Sequence, residues 1–187
     1  TYCLYGSKRN MMLNIFNNSN SPFYRFGQVI FMDKISKEHW IPFIQSSFEK
    51  TDKAISHHYA EQICDIVACH SWYLQQLCYF VWSFTESEVT EETFALGVKQ
   101  VLNINTPMFQ NDTENLSATQ IEMLRAIANG EQHFSSQDVK RNYNLGNPNT
   151  IVKNKKTLQN KDIIELQKGN FDFVDPNYRL WFKGEYC

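Results

Sequence analysis

The sequence predicts a mainly α protein: a short strand-helix-strand opening, then a four-helix bundle, then a C-terminal unit of three helices and a β-hairpin. Three observations carry this. Thr1 to Tyr5 are β-branched, aromatic or aliphatic with no polar alternation, and Gly6-Ser7 then turns into a basic, Met-rich stretch at helical spacing. From Ser36 onward apolar residues recur at one-turn intervals. Near the end, Ile163 to Gln167 and Phe171 to Val174 flank Lys168-Gly169-Asn170, a good hairpin turn.

The elements follow in order. Lys8 to Phe16 carries Met11, Met12, Ile15 and Phe16 on one helical face, and Asn17 to Pro22 breaks it. Phe23 to Gly27 is turn-like and leads to a second short strand, Val29 to Met32. A strand of this apolar kind needs neighbours, and nothing after Val29 to Met32 supplies the rest of a parallel sheet. In the bundle, Trp40, Phe43, Ile44, Ser47 and Phe48 mark the first helix behind Ser36, and Ser56 caps a second with Tyr59, Ile63, Ile66 and Val67. Ser71 is the expected cap of a third, Trp72 to Phe84, whose Leu74, Leu77, Cys78, Val81 and Trp82 leave little polar surface, as in a helix buried on most sides. Thr90 caps a fourth, with Phe94, Val98, Val101, Leu102 and Ile104 inward. Gln110 to Asn115 has no apolar residue and reads as a linker.

Beyond it, Ser117 to Gln120 is a capping-box start to a helix with Ile121, Leu124, Ile127 and Ala128 inward, closed by Asn129-Gly130. Ser135 or Ser136 begins a shorter helix with Val139 and Tyr143, and Leu145-Gly146 turns into a third, Asn147 to Leu158. Three helices followed by a hairpin is the winged helix-turn-helix arrangement.

At 187 residues with 42% hydrophobic and 14% aromatic residues, the chain has ordinary globular composition and room for one to three cores. No stretch has the length and apolarity of a membrane span, and a cytoplasmic setting is the default expectation. The formal net charge of −2 hides an asymmetry: Ser36 to Gln100 is acidic, while Asp138 to Lys168 is basic and suited to a polyanion. The cysteines, Cys3, Cys64, Cys69, Cys78 and Cys187, lie mostly inside apolar helical patterns and read as reduced core thiols. His57, His58, Cys64, Cys69 and His70 are close in sequence but lack the tight spacing of a structural zinc site, so no metal is expected.

Several stretches together resemble one family. They are Leu4-Tyr5-Gly6-Ser7 with Lys8 and Met12, Pro22-Phe23-Tyr24-Arg25 before Val29, Trp72-Tyr73-Leu74-Gln75-Gln76-Leu77 with Trp82, Leu116-Ser117 with Gln120, and Phe173-Val174-Asp175-Pro176 with Trp181. In this order they resemble the C-terminal part of the archaeal-type P-loop ATPases on the border of the AAA+ and STAND groups. The resemblance implies three parts: residues 1–35, a strand-helix-strand remnant of a P-loop α/β core; 36–110, a helical lid; and 111–187, a winged helix. It also implies that the nucleotide-binding strands lie before Thr1, since the chain contains no GxxxxGK[ST] and no apolar run ending in Asp-Asp or Asp-Glu. Without amides and a lysine around the phosphates, and without a magnesium ligand, phosphoryl transfer lacks its main electrostatic support. ATP and magnesium are therefore implied for the complete protein and no cofactor for this fragment, whose first partner is the missing N-terminal ATPase core.

The same resemblance assigns candidate residues. Ser7 stands where relatives place a small polar residue that senses the terminal phosphate; it can equally cap the helix at Lys8. Arg25 stands where AAA+ relatives carry an arginine finger reaching a neighbouring subunit's nucleotide, which implies a homo-oligomer; the alternative is a surface arginine in a turn. Lys8 and Arg9 are placed to touch phosphates or to face solvent. STAND relatives carry Gly-x-Pro where Cys69-His70-Ser71 stands here, and no arginine occurs between Ser36 and Gln110, so a nucleotide-sensing lid would act through backbone, His70 or Ser71.

In a winged helix the third helix often enters the major groove. Asn147, Asn149, Thr150, Lys153, Asn154, Lys155 and Lys156 give it suitable amides and ammoniums, with Lys161 and Lys168 near the wing. No arginine lies on that helix to grip guanine, and packing against a protein partner is the other reading. Two function classes stay open: the sensing segment of an ATPase, and a winged-helix DNA-binding transcriptional regulator.

Overall fold

A computed structural model describes residues 3–6, 9–30, 32–167 and 169–187, without the side chains of residues 9–11. The first helix, α1 (Arg9–Asn17), is followed by a turn in which the Arg25 amide donates to the Phe16 carbonyl at 2.9 Å, and Phe23 lies between Phe16 and Phe26. The two expected strands form no ladder among the described residues. Cys3 to Gly6 and the described residues of 28–32 are irregular and exposed, with Thr1, Tyr2 and Phe31 outside the description. An extended segment is held by hydrogen bonds to a neighbouring strand, and two strands joined by a crossover helix need further strands beside them to complete a sheet.

The bundle comprises α2 (Lys37–Glu49), α3 (His57–Ile66), α4 (Ser71–Phe84) and the first half of α5 (Glu91–Glu114). The periodic residues point inward as expected: Trp40, Ile44, Phe48, Ile63, Leu74, Leu77, Val81, Phe94 and Val101 share one buried cluster. Ser56 caps α3 through Tyr59 N, and Thr90 and Thr93 form a capping box at α5. His70, not Ser71, is the N-cap residue of α4; Ser71 is already helical, and its carbonyl accepts from Gln75 Nε2 at 3.0 Å. Helix α4 is also less enclosed than its composition predicts, since Trp72, Tyr79 and Phe84 face solvent, and so do Phe43 and Ile104. The polar tips of Trp and Tyr let such rings sit at a wet surface.

The stretch expected to be a linker is instead the last turn of α5. Its polar residues cover the exposed side, while Phe109 and Thr113 are buried in a second cluster. That cluster gathers α6 (Ala118–Ala128), α7 (Gln137–Asn142), α8 (Pro148–Asn160), the antiparallel pair β1 (Ile164–Gln167) and β2 (Asn170–Phe173), and α9 (Pro176–Tyr186). The Ser117–Gln120 box, Ser136 on α7 and Gly130 at φ 87° behind α6 match the sequence, while Asn147, expected inside the third helix, is the N-cap of α8. Gln132 extends the wing by one rung, its Nε2 donating to Phe171 O at 3.1 Å while its Oε1 accepts from Phe171 N at 2.8 Å. Helix α9 lies beyond the predicted elements. Asp175 Oδ1 caps it, accepting from Asn177 N at 2.8 Å and Tyr178 N at 3.0 Å, and Pro176 occupies its first position.

At Gly97 α5 lies tight against α4. A Cβ there would lie 2.5 Å from Val81 Cγ2 and 3.0 Å from the Val81 backbone nitrogen. Gly97→Ala gains about 1 kcal/mol of helix propensity, but overpacking against backbone costs about 1–3 kcal/mol. A circular-dichroism melt should therefore show Gly97→Ala lowering Tm by roughly 3 °C. Gly184→Ala in α9, where the added carbon meets nothing within 4 Å, should leave Tm unchanged or raised. Equal behaviour of the two variants would contradict this packing.

Candidate functional site at the bundle–winged-helix seam

Ala68, Cys69 and His70, with Tyr73 one turn further on, build one side of the seam. The end of α3 is a Schellman turn, with Cys69 N donating to Cys64 O at 2.9 Å and Ala68 N to Asp65 O at 3.1 Å. Ala68 and Cys69 take φ of 46° and 55°, a region that glycine adopts without strain and these residues do not. This turn sets His70 at the head of α4 with its ring 4.9 Å from that of Tyr73. Lys34 reaches the turn from the N-terminal segment, its Nζ donating to Ala68 O at 3.2 Å.

Tyr73 crosses to the other side of the seam. Its hydroxyl donates to Asp175 Oδ2 at 2.5 Å, while the other oxygen of the same carboxylate caps α9. Burial, and then the bond to Asp175, push the Tyr73 hydroxyl far above its ordinary range, so it stays a proton donor. Beside it Phe109, Tyr178 and Trp181 stack, with the Phe109 and Tyr178 centroids 5.3 Å apart and those of Tyr178 and Trp181 5.9 Å apart. Tyr178 OH and Thr113 Oγ1 lie 2.7 Å apart, and burial raises the phenol to about 12. Asn177, 1% exposed, finds no partner for its amide among the described residues.

His70 is half-buried, and its Nδ1 is buried without a partner among the described residues. Burial lowers its pKa, Lys34 adds to the effect and Asp175 opposes it. The imidazole is thus held neutral, next to both the strained turn and the clasp.

The other predicted residues are scattered. Ser7 and Lys8 lie outside the described residues, as does the side chain of Arg9, which opens α1. Arg25 is exposed in a turn at φ 55°, its guanidinium 5.2 Å from the Tyr24 ring centroid and in no ion pair among the described residues. Of the α8 set, Asn147 is occupied as N-cap, accepting from Thr150 N at 2.9 Å and from Thr150 Oγ1 at 3.2 Å. Asn154 is buried and donates to Thr119 Oγ1 at 3.0 Å. Lys155 lies over the Phe134 and Phe171 rings, 4.5 and 4.8 Å from their centroids, where burial lowers its pKa, so it belongs to the packing of helix against wing. Lys161 Nζ donates to Asn115 O at 2.9 Å, and Lys168 lies outside the described residues. Asn149, Lys153 and Lys156 are the set that stays exposed on α8. Sequence reasoning missed the clasp, although Tyr73 and Asp175 both lie in the stretches that carry the family resemblance. The available signal was Asp175-Pro176, an N-cap followed by a first-turn proline.

Comparisons with known proteins agree with this architecture. Residues 107–184 match the family model described as "Probable winged helix domain", a match that begins inside α5 at Pro107. Comparison with curated proteins gives no match. Among solved structures the chain is similar to a Walker-type ATPase of Pyrococcus abyssi, with a TM-score of 0.73 and 16% identity over 95% of this chain and 51% of that one. The chain thus spans about half the length of that structure, and at this identity the likeness is one of fold. No helix among the described residues is long and apolar enough to cross a membrane.

Two measurements test the seam. Tyr73→Phe should destabilise the protein by about 2 kcal/mol, the range for a hydrogen bond to a charged group, and Asp175→Ala should cost more because it also removes the α9 cap. Because the folded state depresses the His70 pKa, stability is full above the ordinary histidine value near 6.5 and falls as pH drops through it toward the lowered value. His70→Asn should flatten the slope of unfolding free energy against pH below about 6.5; an unchanged slope would remove His70 from the account.

Proposed function

We propose that this chain is the C-terminal sensing and regulatory segment of a Walker-type ATPase. In this reading residues 1–35 complete the nucleotide-binding core, the bundle is the lid, and the winged helix, joined through α5, carries the lid's movement to a partner. The observation that supports it most is the state of the opening segment: Leu4, Tyr5, Ile30 and Met32 are 63%, 94%, 74% and 93% exposed on backbone that pairs with nothing among the described residues. Unpaired extended backbone with apolar side chains is a surface that folded proteins keep covered by further strands. The likeness in fold to an archaeal Walker-type ATPase twice as long supplies the context.

ATP and magnesium would be held chiefly by polypeptide outside this chain, which has no Gly-rich phosphate loop. The chain's own contribution is cationic. Arg25 keeps its guanidinium exposed and free of carboxylates among the described residues, so its forked donors are available to phosphate oxygens of a neighbouring subunit. Lys8, Arg9 and Ser7 are assigned to the same side by sequence. His70, neutral and wedged between the hinge turn and the Tyr73–Asp175 clasp, is assigned to the transmission of lid movement rather than to phosphate contact. On the winged helix, the engagement of Asn147, Asn154 and Lys155 in packing favours a protein partner. The exposed Asn149, Lys153 and Lys156 favour the second reading, a DNA-binding regulator.

The test joins sequence and kinetics. The reading frame upstream of Thr1 should encode GxxxxGK[ST], and the polypeptide it encodes should hydrolyse ATP in the presence of magnesium. Arg25→Ala should lower its kcat on the order of 10³-fold with little change in nucleotide affinity. An upstream frame without a phosphate loop would overturn the ATPase reading. So would a salt-dependent shift of duplex DNA by this chain, abolished by Lys153→Ala with Lys156→Ala and unaffected by nucleotide.

A further inference from the structure

The Schellman turn that ends α3 places two thiols together for a reason independent of the ATPase reading. In this motif the side chain two residues past the helix end meets the one three residues before it, usually as an apolar contact. Here those positions are Cys69 and Cys64, tied by the 2.9 Å bond from Cys69 N to Cys64 O. Cys64 is fully buried, Cys69 is half-buried, and both are free thiols. Burial, and next the neighbouring Cys69, hold Cys64 as a thiol with a pKa of about 11. The other groups facing Cys64 are Lys37 of α2, Asp65 of α3 and Cys78 of α4. Cys78 is itself raised to about 12 by burial.

We propose that Cys64 and Cys69 are a peroxide-sensitive modification site, forming a reversible disulfide that staples the α3–α4 turn. The half-buried Cys69 sulfur, as thiolate, attacks one peroxide oxygen. The O–O bond breaks, one water leaves after taking up the proton, and Cys69 becomes a sulfenic acid. The Cys64 sulfur then attacks the Cys69 sulfur as its proton passes to the departing sulfenic oxygen; the S–S bond forms, the S–O bond breaks, and that oxygen leaves as a second water. The two thiols give up two electrons and two protons in all, and one peroxide is reduced to two waters. A dithiol reductant reverses the bond by thiol–disulfide exchange. The staple closes directly across Ala68 and Cys69, which take strained φ values of 46° and 55°, and it fixes the residue immediately before His70. The exposed Cys3 and Cys187 have no such partner arrangement among the described residues.

The whole chain carrying Cys3→Ser and Cys187→Ser is the protein to test, since it removes exposed thiols that would join molecules to one another. After treatment with hydrogen peroxide, free-thiol titration should fall from three per chain to one. Peptide mass spectrometry should find the segment containing Cys64 and Cys69 lighter by two hydrogens. A dithiol reductant should restore both thiols, and Cys69→Ser should abolish the loss of Cys64. The oxidised protein should melt at a higher temperature than the reduced one, and Cys69→Ser should melt alike with and without peroxide. The proposal is overturned if Cys69 proceeds to sulfinic acid while Cys64 stays reduced, if Cys64 is found joined to Cys78, or if all three thiols survive peroxide that oxidises free cysteine completely.

Discussion

Helix α5 is gripped by both hydrophobic clusters at once, and the remainder of the architecture depends on that sharing. Phe94 and Val101 belong to the bundle's cluster, Phe109 to the winged helix's, and one continuous helix connects them, lacking only the backbone bond that Pro107 cannot donate. A 24-residue helix is about 36 Å long, comparable to the diameter of a small domain. Each cluster taken alone is of a size at which burial scarcely outweighs chain entropy. The stacked rings of Phe109, Tyr178 and Trp181 and the Tyr73–Asp175 bond add a second line of attachment, so that the two cores touch through side chains as well as through a common helix.

Two attachments restrict relative motion to rotations that both can accommodate. Asp175 is the shared point, because one carboxylate oxygen fixes α9 and the other fixes α4. A shift of α4 therefore bears on α9 directly. The turn before α4 is strained at Ala68 and Cys69, and its next residue, His70, packs half-buried against Tyr73 in its neutral form. Strain, a depressed imidazole and a bridging carboxylate from α9 thus converge at one place on the seam, the pattern expected of an element with more than one arrangement. In the proposed reading the lid's response to nucleotide passes through this stretch into the winged helix.

Much of this architecture was legible in the sequence, because the rules behind it are local. Ser56, Thr90, Ser117 and Ser136 act as caps through bonds to backbone a few residues away, so they can be read without knowing the fold. The hairpin was legible in its turn residues and the bundle in its period. The misreadings share a physical origin in contacts between segments distant in the chain. Gln110 to Asn115 looks like a linker because the apolar residues that mark its helix, Leu102 and Phe109, precede it, and its inward residue Thr113 is a polar one paired with Tyr178. Helix α9 was overlooked although Asp175-Pro176 announces a start. Lys155 looked like a groove-reading ammonium because its place over Phe134 and Phe171 depends on a loop and a wing that no spacing rule brings together. The opening strands are apolar in pattern, yet pattern alone supplies no ladder partner.

Differential scanning calorimetry of the whole chain, with Tyr73→Phe beside it, tests the union of the two cores most directly. One transition, with calorimetric and van't Hoff enthalpies in agreement, is the result this account predicts for the unaltered protein. Two separable transitions, one for the bundle and one for the winged helix, each insensitive to Tyr73→Phe, would contradict it.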